Sequence, residues 1–330
     1  MNPRTPVPLE DAPLIISTDI GGDPDDAITL ALAAMTEPNL QLVVTADELP
    51  DGRRSTLARH LLDLMGREDV LVAAGATHGH SKYWAADGLV PGEPLRRGLP
   101  LYDVVRGLCE WHPTAPLRWL GIGPLTDLAS LLKSDAAHDE PLGMAHRMRI
   151  WQMGGALEWR PDRAEHNFRL DPQAVHDVVT RAQDLTLVLA DHTFTPVMAV
   201  DTQSPIYRML TASHKPWARL ILDHLDQWMQ RFHPASMLHD PLTFAAMRGD
   251  FVAFEPGEFG LEPDGRMRPG PGHTARLSRS VDYPPFLDWV LTTLRDGTPT
   301  PHPLWNPLAG TPRTSRPEHT SAQPLDSGWS

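Results

Sequence analysis

Six short apolar runs, each stopped by small, acidic or proline residues, constrain what this 330-residue chain can become. They occupy residues 14–17, 40–45, 70–74, 118–122, 148–153 and 185–190, with amphipathic stretches such as 55–65 and 172–182 between them. A strand that is apolar at nearly every position must be covered on both faces, and the intervening helices supply that cover. The pattern predicts an α/β fold: an open, mostly parallel sheet with helices on both faces. Ligands bind such sheets at the carboxyl edge of the strands. Five loops would meet there: TDIGGDPDD, TADELPDG, GIGPLTD, MGGALEW and ADHTFTP.

A long helix is expected over 216–232, where Leu220, Ile221, Leu225, Trp228 and Phe232 recur at helical spacing. Residues 251–294 read as a peripheral strand pair closed by a final helix. No repeat or linker divides the chain, so residues 1–295 are read as a single domain. The proline-rich stretch 296–330 has no hydrophobic period and reads as a disordered tail.

The chemistry concentrates in the first loop. Asp19, Asp23, Asp25 and Asp26 crowd the exit of the first apolar run, around the Gly21-Gly22 pair. Like charges this close raise one another's pKa or recruit a cation. Carboxylate oxygens select hard divalent ions such as calcium or magnesium. Helix capping is the plain alternative, since acidic residues complement the start of a helix at 26–35. Capping accounts for one or two aspartates, not four.

The net charge of −13 argues against nucleic acid or an anionic membrane as partner. Cys109 is the only cysteine, so no intrachain disulfide can form, which suits a reducing cytoplasm. The N-terminal residues lack a signal pattern, and no apolar stretch approaches the roughly 20 residues of a spanning helix. A neutral or cationic small molecule bound in a cytoplasmic protein is the expectation.

Three further segments carry candidate groups. GPLTDLASLL (123–132) is ordinary turn chemistry that could also aim a carbonyl near Thr126 at a metal. In 153–175, Glu165 and Asn167 stand two apart, and in an extended segment both would face one way. A carboxylate and an amide together suit sugar hydroxyls, which donate and accept. In 237–247, Asp240-Pro241 has a capping alternative, and His239 has the pKa range of a general acid. His78 and His80 form an HxH pair with no third ligand at zinc spacing.

TDIGGDPDDA, GPLTDLA, MGGA, EHN followed by LDPQAV, and HDP, in this order, resemble the inosine–uridine-type nucleoside hydrolases. That family opens on DTDPGxDDA and continues with GPLTN, MGGA, EFN, DPEA and HDP. The likeness runs from about Leu14 to Leu294. It implies calcium-dependent hydrolysis of the N-glycosidic bond of a ribonucleoside or related N-riboside, with calcium at the sheet's carboxyl edge. By motif, Asp19 matches the ligand that also activates the metal-bound water. Asp26, the Thr126 carbonyl and Asp240 match the other protein ligands. Asp25 matches the group on a ribose hydroxyl, Glu165 and Asn167 the sugar grip, and His239 a proton donor to the leaving base. The resemblance also implies a homo-oligomer, a dimer or tetramer.

The chain departs from the family at the sugar edge. Its opening loop is two residues longer, which makes Asp23 a competitor for metal or substrate. Glu48 falls near a family asparagine, Trp84 near a family histidine, and Glu158-Trp159 where relatives have Gly-Asn. GPLTN has become GPLTD, adding Asp127. Glu48, Trp84 and Trp159 are therefore read as substrate-binding, the two tryptophans either stacking on a ring or serving the core. The alternative function is a metal-dependent sugar- or nucleoside-binding protein without turnover. A phosphoryl-transfer enzyme using magnesium lacks a phosphate cradle or a matching set of basic residues.

Overall fold

The computed structural model of the protein describes residues 7–78, 82–90 and 100–302. The first half runs β1 (Leu14–Thr18), α1 (Asp25–Thr36), β2 (Leu40–Thr45), α2 (Arg53–Leu64), β3 (Leu71–Ala74), α3 (Leu101–Trp111), β4 (Leu117–Gly121), α4 (Thr126–Ala137), α5 (Met144–Arg147) and β5 (Met148–Met153). It continues through α6 (His166–Leu170), α7 (Pro172–Arg181), β6 (Leu185–Val188), α8 (Ala190–Thr193), β7 (Ala199–Val200), α9 (Pro205–Ala212), α10 (Pro216–Arg231) and β8 (Ser236–Met237). Last come α11 (His239–Met247), β9 (Val252–Leu261), β10 (Met267–Pro269), β11 (His273–Val281) and α12 (Tyr283–Asp296).

Nine strands form one sheet in the order β10-β9-β11-β6-β5-β4-β1-β2-β3. The block from β6 to β3 is parallel throughout, as the near-continuous apolar runs require. Alternate side chains leave each strand on opposite faces. Leu14 and Ile16 enter a core built with Ile28 of α1, Leu57 of α2, Ile221 of α10 and Phe244 of α11. Ile15, Leu42 and Trp119 enter a second core with Val105 of α3, Leu128 of α4 and Val175 of α7. Helices thus cover both faces.

β6 stops at Val188 rather than 190, because Ala190 opens α8. The expected strand pair of 251–294 is three strands, β9, β10 and β11. The extra one arises at Pro263-Asp264-Gly265, where Gly265 takes φ +87° and its N–H donates to the Glu262 carbonyl at 2.9 Å. That turn folds β10 back antiparallel on β9. Beyond α12, Thr300 N–H donates to the Ala34 carbonyl at 3.0 Å and His302 N–H to Asp69 Oδ2 at 3.1 Å. The first residues of the expected tail are therefore tied to the body; residues 303–330 lie outside the described ones. No helix among the described residues is long and apolar enough to cross a membrane.

Candidate active site

The loop after β1 turns sharply before α1. Gly21 sits at φ +101°, and a Cβ there would lie 2.3 Å from the Trp84 ring, so the position demands glycine twice over. Behind the loop lies Arg54 of α2, fully buried. Its guanidinium donates to the carbonyls of Asp19 and Ile20, the latter at 2.8 Å, and to the Asp47 carbonyl at 3.0 Å. One of its nitrogens, Nη2, has no hydrogen-bond partner among the described residues. On the far side, the His224 ring of α10 bonds the Gly22 carbonyl through Nε2 at 3.1 Å. The loop is clamped from two helices.

The clamp delivers carboxylates to one place. Asp25 and Asp26 start α1, where the helix dipole favours negative charge, and Asp240 comes from the first turn of α11. All three are buried, and each offers an oxygen within 4.8 Å of the others. Asp25 Oδ2 accepts from the Asp240 N–H at 3.2 Å, and Thr18 Oγ1 donates to Asp26. Burial first, then mutual repulsion, holds Asp25, Asp26 and Asp240 well above the usual carboxylate range. Burial likewise raises Asp19, which Arg54 opposes. Asp19 lines the same cavity but stands outside the tight group of three. A set of buried, hard, mutually repelling oxygens fits a hard divalent cation.

The cavity holds about 570 Å³. Asp19, Asp23, Asp25, Asp26 and Asp240 line it, and so do Glu165, Asn167, Trp159 and His239. Glu165 and Asn167 lie at a helix start, not in the extended segment envisaged from their spacing. Glu165 is the N-cap of α6 and accepts from the N–H groups of Asn167 and Phe168 at 3.1 and 3.2 Å, and from Gly155 at 3.1 Å. Asn167 sits in the same first turn and donates to the Met153 carbonyl at 3.1 Å. Trp159 packs on Phe194 with centroids 4.7 Å apart. His239 stacks on Phe194 and contacts Thr193 Oγ1 through Nδ1 at 2.6 Å. Burial pushes its pKa down to about 4, with the His166 charge adding to the effect. At neutral pH it is an uncharged ring, not a loaded acid.

Three expected residues lie elsewhere. Thr126 opens α4 with its hydroxyl donating to Asp171 Oδ2 at 2.7 Å, and the cavity wall takes Ile122 from this loop instead. Glu48 is a buried structural acceptor: Thr45 Oγ1 at 2.6 Å and the N–H groups of Leu49, Arg54 and Ser55 at 2.8–3.0 Å satisfy it, fixing the start of α2. It is absent from the cavity wall because its lone pairs belong to that cap. Trp84 packs on the outside of the aspartate loop, with the Arg53 guanidinium 5.1 Å from its ring, and lines a separate cavity of about 240 Å³. Asp23, left unassigned by its spacing, accepts from Ser236 Oγ, and burial drives it up to about 8. His80 lies outside the described residues, and His78 Nε2 sits 2.9 Å from Asp171 Oδ2.

Arg54 and Phe194 had no distinguishing signal. Arg53 and Arg54 look alike in sequence, yet only the second is swallowed by the fold. What the sheet edge and the acidic cavity define is an α/β protein with a cavity for a small polar ligand and a carboxylate group that could hold a divalent cation. The chain belongs to the inosine-uridine preferring nucleoside hydrolase family, whose model matches residues 14–288. It is 28% identical over 280 residues to the pyrimidine-specific ribonucleoside hydrolase RihA of Shewanella woodyi, covering 78% of this chain and 86% of that one. Against RihA of Enterobacter sp. strain 638 it is 31% identical over 266 residues, 71% and 78% of the two chains. The inosine-uridine preferring nucleoside hydrolase of Bacillus anthracis shares the fold, with a TM-score of 0.67 at 18% identity over 86% of this chain and 99% of that structure. The protein is thus an N-glycosyl hydrolase of a metal-dependent family, acting on ribonucleosides.

Proposed function

We propose that the protein hydrolyses the C1′–N bond of an N-riboside with calcium as its ion. The observation that carries this is the buried Asp25–Asp26–Asp240 group on the floor of a cavity whose wall holds Glu165 and Asn167. Motif and geometry both support Asp26 and Asp240 as ligands. Asp19 would complete the ligand set, Asp25 accepts from a ribose hydroxyl, and the Ile122 carbonyl, from the residue of this loop that lines the cavity, would serve in place of Thr126. When bound, the ion lowers the pKa of a water and orients the ribose diol.

Asp19 takes the proton from the attacking water as its oxygen bonds to C1′. The C1′–N bond breaks, its electron pair leaving with the base, and the ring gains positive charge that the surrounding carboxylates stabilise. Trp159 and Phe194 flank the departing ring, and His239 offers it an N–H as a neutral hydrogen-bond donor. The domain read over 1–295 carries all these groups, with cytoplasmic residence and a homo-oligomer as further parts of the proposal.

The test is release of reducing sugar by the purified chain from purine and pyrimidine nucleosides, nicotinamide riboside and 5′-substituted analogues, with calcium or with chelator. Turnover that needs calcium is expected. Ribose binding with no cleavage across the panel would leave a binding protein without turnover and overturn the proposal.

A further inference from the structure

The cavity has an acidic floor and a basic rim. Arg160, Arg163 and Arg169 all line it and all are exposed. None of them forms an ion pair among the described residues. Most surface arginines elsewhere pair with a carboxylate, among them Arg53, Arg59, Arg106, Arg219, Arg231 and Arg266, although the exposed Arg181 and Arg208 do not among the described residues. In a chain with 42 acidic residues against 29 basic ones, the rim is distinguished by gathering three guanidiniums without ion pairs at one opening.

Their placement is built. The Arg160 guanidinium lies 4.9 Å from the Trp159 ring centroid and 5.7 Å from that of Phe194. Aromatic faces hold a guanidinium by its plane and leave its N–H edges to a ligand. Arg160 also takes φ +46°, a left-handed backbone unfavourable for a side-chain-bearing residue and kept only where the surroundings enforce it. The Arg163 N–H donates to the Arg160 carbonyl at 3.2 Å, so both belong to one turn. Arg169 Nη2 lies 3.3 Å from His166 Nδ1, on the helix whose cap and first turn are Glu165 and Asn167. Forked donors around an opening suit an anion with several oxygens, above all phosphate.

We propose that the preferred substrate is a phosphorylated N-riboside, with its phosphoryl group held at the rim by Arg160, Arg163 and Arg169 while the floor holds the ribose. This rests on the N-riboside hydrolase reading above. The charge division is physically coherent. The floor repels an anion and stabilises the cationic ribosyl group, so a phosphoryl group is accommodated only where the arginines stand.

The test has a catalytic arm and a binding arm, both on the full chain with calcium. Uridine is compared with uridine 5′-monophosphate and 5′-diphosphate, and nicotinamide riboside with its mononucleotide. A kcat/KM at least tenfold higher for the phosphorylated member of a pair is expected. The Arg163→Gln/Arg169→Gln double variant should cut that preference at least tenfold, whereas Arg181→Gln, an exposed charge on α7, should not. A diphosphate favoured over the monophosphate would identify a pyrophosphate ester as the source. Equal or better cleavage of the unphosphorylated member, or a preference that survives the double variant, overturns the inference. If nothing is cleaved, the activity reading has failed, and calorimetry decides the rim separately. Ribose 5-phosphate binding at least tenfold tighter than ribose, with the gain lost in the double variant, supports it; equal affinities overturn it.

Discussion

Asp19 and Asp25 are the residues on which motif and geometry differ. The motif gives Asp19 to the metal and Asp25 to the sugar, while the tight oxygen group contains Asp25 and omits Asp19. Their asparagine variants separate the two. Asp19→Asn removes the proton acceptor, so kcat should fall by about 10²–10⁴. Asp25→Asn should raise KM for ribosides more than it weakens calcium, measured by calorimetry. If Asp25→Asn instead abolishes calcium binding while Asp19→Asn spares it, Asp25 is the ligand and the roles exchange. Glu48 teaches a different lesson. A glutamate after the second strand looks like a sugar ligand in sequence, because nothing in TADELPDG reveals that three N–H groups and Thr45 will claim its oxygens. Its truncation to alanine strands buried donors, which costs about 1–3 kcal/mol for an unsatisfied group. Thermal or urea unfolding of Glu48→Ala should show that loss, with KM nearly unchanged where the variant folds.

At the level of elements, the parallel strands were legible because burial on both faces writes itself as unbroken apolar runs; β2 and β5 fall at the expected residues. Some helix starts are set by local chemistry: Asp171 accepts from the Ala174 N–H at 3.0 Å, with Pro172 following at the first helical position. The contacts between elements were not legible. His224 sits among the apolar residues of α10 and reads as part of an ordinary helix, yet it anchors the aspartate loop through Gly22. Burial pushes its pKa down to about 4 from an ordinary 6.5. Between those values the unfolded chain binds more protons than the folded one. The anchor's contribution is therefore whole above pH 6.5 and is lost as pH falls toward 4, by up to about 3 kcal/mol. His224→Gln keeps a polar tip without the titration, so its stability should change less across pH 4–6.5 than the parent's. Equal slopes in urea unfolding across that range would refute the assignment.

The whole molecule carries its electrostatic tension in one cavity, and that tension sets how it responds to calcium. The sequence announced the acidic floor through TDIGGDPDD and HDP, since each motif is short and local. It did not announce the rim, because Arg160, Arg163 and Arg169 look like scattered surface charges until the β5–α6 connection and α6 bring them to one opening. In the floor, Asp23 is raised to about 8 and Asp25, Asp26 and Asp240 well above the ordinary 3.8. A carboxyl raised on folding binds its proton more tightly in the folded state. Stability of the calcium-free protein therefore falls as pH rises from about 4 toward 8, opposite in sign to His224 and carried by several groups instead of one. A bound divalent cation removes the repulsion and adds its own linkage, about 2.7 kcal/mol at a hundredfold excess over Kd. Chelated protein should lose melting temperature from pH 5.5 to 8, and saturating calcium should restore it most at the upper end. If calcium shifts the melting temperature equally at both pH values, or not at all, the floor is not the ion's site.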